Sequence, residues 1–244
     1  MIGAEPTKGG NGMESENRLC YRHEIKYVLT PVEYRELVPR LSAVMKRDPH
    51  AGRSGLYRVS SIYFDNYRDK ALHEKLDGVA VRQKFRIRWY NDDLTHFSLE
   101  KKVKMNSLCL KRGTQIDEEE CRRILKNDIA WMADTDDVLL RELYVKEKTQ
   151  QLRPRIKVSY SREPFVYSPG NVRVTIDSDI RTSMYHPFVA GFQSADINVL
   201  REPGHMILEV KYDAYLPEII VMLLQTGNLR QSAFSKYGVS RCFG

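Results

Sequence analysis

Hydrophobic and polar residues alternate with a period of two through much of this chain. The clearest run is Arg82 to Tyr90 (Arg-Gln-Lys-Phe-Arg-Ile-Arg-Trp-Tyr). In a strand, Arg82, Lys84, Arg86 and Arg88 share one face while Phe85, Ile87 and Trp89 share the other. Successive cations then stand about 6.6 Å apart. Each adjacent pair repels by roughly 0.6 kcal/mol in water and about 2.5 kcal/mol at an effective dielectric near 20. An open surface absorbs that cost through water and salt, whereas an enclosed site calls for a bound polyanion.

The same alternation recurs along the chain. Arg22 to Leu29 sets Arg22, Glu24 and Lys26 against His23, Ile25, Tyr27 and Leu29, and Arg58 to Asp65 is rich in β-branched and aromatic residues. Phe97 to Lys104 opposes Ser98, Glu100, Lys102 and Lys104 to Phe97, Leu99 and Val103. With the turn at Asn91-Asp92-Asp93, it predicts a hairpin with the cationic strand, unlike charges partly compensating across it. Val172 to Asp177 and Met206 to Tyr212 repeat the pattern, the latter with Glu209 and Lys211 on its polar face. From Arg153 to Arg162 the parity is ambiguous, because Arg155 and Lys157 lie opposite Tyr160 and Arg162.

Helical signals fall between these strands. Thr30-Pro31-Val32-Glu33 is a capping box with proline at the first helical position, and Pro39 is expected to kink or divide that helix before Met45. Asn66 to Glu74 predicts a short helix or turn, and Asp77-Gly78 a turn. Asp117 with Glu120 opens a helix running to Met132, and a second runs from Asp136 to Gln151 on a stripe of Val138, Leu139, Leu143 and Val145. Pro217 starts a last helix and Gly227 stops it. Residues 46–56 and 107–115 read as basic connections, and residues 1–18 as a disordered Gly-rich tail in which Met13 is an alternative start. The apolar strand faces and helix stripes fit two architectures. One is a sheet with helices on its apolar face, and the other is a barrel charged inside and covered by helices outside.

Composition narrows the chemistry. The 244 residues carry 39 Lys and Arg against 32 acids, a net charge of +7, which favours an anionic partner. Cys20, Cys109, Cys121 and Cys242 show no metal-ligand spacing and read as reduced thiols of a cytoplasmic protein. No Gly-x-x-x-x-Gly-Lys-Ser/Thr or Gly-x-Gly-x-x-Gly motif occurs. No RNA-binding motif accompanies Trp89 and the tyrosines, so nucleic acid is not the expected partner. The longest apolar run near the C-terminus, Ile219 to Leu224, is far too short to cross a bilayer.

An ordered set of segments resembles the VTC domain, the catalytic domain of polyphosphate polymerases, and specifically its bacterial single-domain type. They are Arg22-His23-Glu24-Ile25-Lys26-Tyr27, Ser61-Ile62-Tyr63-Phe64-Asp65, Phe85-Arg86-Ile87-Arg88-Trp89-Tyr90, Leu99-Glu100-Lys101-Lys102, Arg153-Pro154 with Tyr160-Ser161-Arg162, Val172-Arg173-Val174-Thr175-Ile176-Asp177, Leu208-Glu209-Val210-Lys211 and Phe234-Ser235-Lys236-Tyr237. The resemblance runs over residues 19–244 as one domain. It implies an α+β fold of the triphosphate-tunnel (CYTH-like) superfamily: a closed antiparallel β-barrel with a charged interior and helices packed on the outside.

It further implies phosphate ligands at Lys26, Arg86, Arg88, Lys102, Arg162 and Arg173, with Lys236 guarding one end of the tunnel. Tyr160, Lys211, Arg82 and Lys84 join them in holding substrate, as does Lys111 from a less closely matching loop. Glu209 is the implied ligand of a divalent Mg or Mn ion. Glu100 is either a second carboxylate near that metal or the ion-pair partner of Arg88 or Lys102. The implied reaction moves the terminal phosphoryl group of ATP onto a growing inorganic polyphosphate. Hydrolysis of triphosphate or nucleoside triphosphate in the same tunnel, and polyphosphate binding without turnover, are the alternatives. Hydrolytic and cyclase relatives carry Glu-x-Glu-x-Lys on the first strand, where this chain has Arg22, Glu24 and Lys26, so polymerase is the favoured reading. Any membrane link is expected through a partner protein.

Overall fold

Among the described residues, the β-branched and aromatic runs and two short polar segments form ten strands in one antiparallel sheet. In the computed structural model the described residues are 21–183, 192, 196–200, 202, 204–225 and 229–242. The strands are β1 (Arg22–Leu29), β2 (Lys46–Arg47), β3 (Tyr57–Asp65), β4 (Val81–Tyr90), β5 (Phe97–Met105), β6 (Leu108–Ile116), β7 (Arg153–Tyr167), β8 (Val172–Ser183), β9 (Asp196–Asn198) and β10 (Met206–Tyr212). Eight of them form a ring in the order β7-β3-β4-β5-β6-β1-β10-β8. Pairing of β7 with β8 closes it, and β2 and β9 add at its margins. Closure selects the barrel over the open sheet and turns the polar strand faces into an interior.

Helices cover the apolar outside, except that the last of them closes one end of the barrel. They are α1 (Pro31–Val44), α2 (Lys70–Leu76), α3 (Glu118–Leu125), α4 (Val138–Gln150), α5 (Glu218–Leu224) and α6 (Lys236–Ser240). Ile62, Phe85, Ile87, Trp89 and Leu99 of the barrel wall pack against Cys121 and Ile124 of α3 and Leu139, Leu140 and Leu143 of α4. On the other side Val174, Ile176, Leu208 and Val210 pack against Leu37 and Leu41 of α1 and Ile220 and Leu224 of α5. Fully burying such a side chain contributes about 1.5–3 kcal/mol, so these two layers hold the barrel in shape.

Several local expectations need correction. Residues 107–115 are not a loop. They make β6, paired with β5 along its length in a register that sets Lys111 opposite Lys102 and Gly113 opposite Glu100. The helix expected over 117–132 ends at Leu125, because Asn127 turns left-handed (φ 62°), and only a 3₁₀ turn over Ala130–Ala133 follows. Helix α1 runs through Pro39 undivided. Arg35, whose carbonyl loses the proline's missing N–H, is exposed, so water can satisfy it. Beyond the helix opened by Pro217, Ser235 caps a further short helix, α6. Gly227 and residues 1–18, as well as Cys20, lie outside the described residues.

The uneven parity of β7 also has a physical cause. Ile156, Val158, Tyr160 and Arg162 share the inner face, but the first two meet an apolar plug formed with Val59, Ile207 and Tyr237 of α6. The register slips beside Arg155, against Tyr63 and Phe64, and that side chain turns outward to Asp69. One end of the interior is therefore filled by hydrophobic residues, and the charged cavity occupies the rest.

Candidate active site

A cavity of about 480 Å³ runs through the barrel, bounded by side chains from eight strands and α6. Eleven Lys and Arg side chains line it against Glu24 and Glu209. Counting Glu100 and Asp177 behind them, Asp48 paired with Arg173 at 2.7 Å and Asp213 paired with Arg22 at 2.8 Å still leaves eleven cations against six carboxylates. Lys26, Lys84, Arg86, Arg88, Lys102, Lys111, Tyr160, Arg162, Arg173, Lys211 and Lys236 all face this space. Arg82 lies apart, at a mouth reached through Lys84.

Most of these cations are organised around four buried carboxylates. Glu100 accepts from Arg86 at 2.7 Å (Nε) and 2.6 Å (Nη2), lies 2.6 Å from Lys111 Nζ, and has Arg88 at 3.8 Å. Of its two expected partners Arg88 is therefore present, whereas Lys102 instead reaches Glu24 at 2.5 Å. Asp177 receives a two-pronged guanidinium from Arg162 at 2.7 and 2.8 Å and the ammonium of Lys236 at 2.6 Å. Glu24 and Glu209 stand on adjacent strands and share Lys26, at 3.2 and 3.3 Å, while Lys211 also pairs with Glu209. Hydroxyls complete the lining. Tyr160 accepts from Arg88 at 3.1 Å, Tyr63 from Arg86 at 3.2 Å and Tyr57 from Arg173 at 3.0 Å.

This wiring sets the charges. Burial alone would raise the Glu24, Glu100 and Glu209 carboxyls, but the surrounding lysines and arginines outweigh it and hold all three well below the usual carboxylate range. Asp177 is likewise pulled down to about 2, burial being outweighed by Arg162 and Lys236. Burial lowers Lys211 to about 8 despite Glu209 and Glu24, and lowers Lys84 to about 8 with help from Lys26, Lys102 and Arg82. Tyr63 falls to about 8, because Arg86 and Arg88 overcome its burial.

Glu24, Asp177 and Tyr63 are site residues that the sequence does not single out. Asp177 shares a strand face with Arg173 and Thr175, and that alternation is its only signal. Among the described residues no three His, Cys, Asp or Glu side chains converge as a closed metal cage. The donor chemistry nonetheless fits Mg or Mn, which binds through one or two carboxylates plus phosphate oxygens. Glu24 and Glu209, bridged by one ammonium, are the two carboxylates that could serve as such a pair. Glu100, ringed by Arg86, Arg88 and Lys111 on the β5 wall, is a poor candidate for metal.

A closed antiparallel barrel with this interior is the fold of the triphosphate-tunnel proteins. The VTC domain profile matches residues 21–243, and the chain belongs to that family. Membership places it among tunnel proteins that handle polyphosphate or triphosphate. No curated protein matches at a significant level. Among solved structures, HpAC1 from Hippeastrum, named for adenylyl cyclase and described as having a dominant triphosphatase activity, aligns with a TM-score of 0.50. It is 14% identical, over 92% of this chain and 96% of that one. A Bacillus halodurans protein named for adenylate cyclase gives a TM-score of 0.48 at 14% identity, over 84% and 87% of the two chains. A Pyrococcus horikoshii protein gives 0.45 at 14% identity, over 89% and 97%. Among the described residues no helix is long and apolar enough to cross a membrane.

Proposed function

We propose that this chain is a metal-dependent polyphosphate polymerase that uses ATP. The observation that carries the reading is the enclosed excess of cations over four fully paired carboxylates, continuous along the tunnel. Phosphoryl transfer asks the protein chiefly for positioning and for stabilising charge on the phosphoryl oxygens. Arg86, Arg88, Arg162 and Arg173 would clamp phosphates with planar forks, and Lys26, Lys102, Lys111, Lys211 and Lys236 would add point charges. Tyr160 would donate its hydroxyl. The bond from the γ-phosphorus of ATP to its bridging oxygen breaks as the terminal oxygen of polyphosphate bonds to that phosphorus, and ADP leaves. Bound at Glu209 with Glu24 beside it, Mg or Mn would neutralise charge on the phosphates.

Arg22 supports polymerisation over hydrolysis. It stands where the hydrolytic pattern has its first glutamate, and its guanidinium pairs with Asp213 at 2.8 Å and donates to the Asn171 carbonyl. The inner wall thereby lacks one carboxylate for a second metal and an activated water. Triphosphate hydrolysis is the second reading, favoured by the closeness of Glu24 to Glu209 and by the activity described for the Hippeastrum protein. Incubating purified protein with ATP and Mn or Mg, alongside inorganic triphosphate, separates them. Long polyphosphate with ADP is the expected product, whereas free phosphate without chains would establish the hydrolase.

A further inference from the structure

The hairpin of β4 and β5 is expected from sequence to balance its charges across the ladder, and its register shows that it does so at only one rung. Arg86 faces Glu100, but the next two rungs outward pair Lys84 with Lys102 and Arg82 with Lys104. Like charges directly opposed on one face of a ladder destabilise it. Lys102 is neutralised by Glu24. Among the described residues, Lys84, Arg82 and Lys104 have no carboxylate in ion-pairing contact. Lys84 reaches the Ser235 hydroxyl at 3.4 Å and lies over the Tyr237 ring at 5.1 Å, and Arg82 reaches the Val79 carbonyl at 2.6 Å. Lys75 of α2 joins them, close enough that Arg82 and Lys104 depress its own protonation after burial does.

These side chains surround a second space of about 520 Å³, whose far lip is the segment carrying Ser232 and Ser235. That segment is anchored to β1 by a hydrogen bond from the Ser232 amide to the Lys26 carbonyl at 2.8 Å. It fills a seam, because β1 pairs with β6 only at Arg22 and His23. Lys26, Lys84, Lys102 and Ser235 line this space and the main cavity alike, so the two are continuous.

We infer that Lys75, Arg82, Lys84 and Lys104 form an outer subsite for the part of a polyphosphate chain that extends beyond the tunnel, making the protein selective for long chains over triphosphate. The inference rests on the reading of the tunnel as a polyphosphate site. Two rungs separate Arg82 from Arg86, about 13 Å along the strand, and each phosphate repeat is much shorter than a rung. A triphosphate held by Arg86, Arg88 and Arg162 therefore leaves the outer cations without a partner, and a longer chain supplies one. A nucleic acid would bring the same phosphate charge, but its bases ask for aromatic faces on which to stack, and the described lining of this space offers Phe234 alone.

The test compares tripolyphosphate, long-chain polyphosphate and a single-stranded oligonucleotide as ligands, by calorimetry over a salt series. The proteins are the wild type, the double variant Arg82→Gln with Lys104→Gln, and Lys75→Gln alone, which removes a helix cation without touching the ladder. The double variant is expected to lose roughly tenfold or more in affinity for long chains while binding tripolyphosphate within about twofold of wild type, the loss falling with added salt. Lys75→Gln should show the same selectivity to a smaller extent. Unfolding of the ligand-free double variant should occur at the wild-type temperature or higher, since a repulsion has been removed. Equal losses on both phosphates, no loss on long chains, or tighter binding of the oligonucleotide than of long polyphosphate would each overturn the inference. Failure of wild type to bind even tripolyphosphate would overturn the reading of the tunnel itself.

Discussion

Asp177→Asn isolates the balance on which the tunnel depends. The carboxylate is fully buried and neutralises Arg162 through two hydrogen bonds and Lys236 through one. Asparagine keeps the shape and removes the charge, leaving two enclosed cations facing each other. Removing one partner of a buried ion pair typically costs about 3–5 kcal/mol. For a chain of this size each kcal/mol moves the unfolding midpoint by about 2–4 °C, so a fall of roughly 6–20 °C is expected in the ligand-free protein. Tripolyphosphate at a hundredfold excess over its Kd stabilises any folded binder by about 2.7 kcal/mol. If phosphates take the place of the missing carboxylate between Arg162 and Lys236, the ligand must raise the midpoint of the variant by more than that of wild type. Circular dichroism melts with and without tripolyphosphate read both numbers. A drop of less than about 3 °C, or equal ligand shifts in the two proteins, would refute the idea that Asp177 holds these cations ready for phosphate.

Arg86→Ala should abolish turnover in the ATP and Mn assay. It should also lower the melting temperature less than Asp177→Asn does, because Glu100 keeps Lys111 and Arg88. Glu209→Gln should abolish turnover at Mn concentrations that saturate wild type while leaving calorimetric binding of polyphosphate in EDTA at least as tight as wild type. Lys84 and Lys211 lose protons near pH 8 in the free protein, so affinity for tripolyphosphate should fall between pH 7 and 9. Binding at pH 8 should take up protons, visible as buffer-dependent heats. Stability should move the other way. The unfolded lysines titrate near 10.5 and hold more protons between pH 8 and 10.5, so their contribution raises folding stability with pH across that window. Glu147, buried in α4 with Arg153 alone among the described residues in ion-pairing reach of its carboxylate, at 3.4 Å, is raised to about 7 by that burial. Its folded state binds the extra proton between pH 4.5 and 7, so it costs stability above that range. Glu147→Gln should accordingly raise the melting temperature at pH 8 and not at pH 5.

Period-two alternation makes the walls legible, because side-chain direction in a strand depends on sequence parity alone. The faces carrying Lys26, Arg86, Arg88, Lys102, Arg173 and Glu209 can therefore be read from the order of residues. What alternation leaves out is register, and register decides which charges meet. The Arg86–Glu100 rung and the unbalanced Arg82–Lys104 rung differ by four residues along the same strand and look alike in sequence. Strand β6 is hidden because Lys111-Arg112-Gly113 has the composition of a loop. Its place in the wall comes from pairing with β5, a tertiary cause that overrides local propensity. Closure is a further step removed. It depends on β7 being long enough to pair with β3 on one edge and β8 on the other, so that Arg162 and Asp177 meet as cross-strand neighbours. Only then does a row of cations that water could have screened become an enclosed one. Internal carboxylates then let the barrel fold without ligand, and the positive charge they leave uncancelled gives an anionic chain its reason to enter.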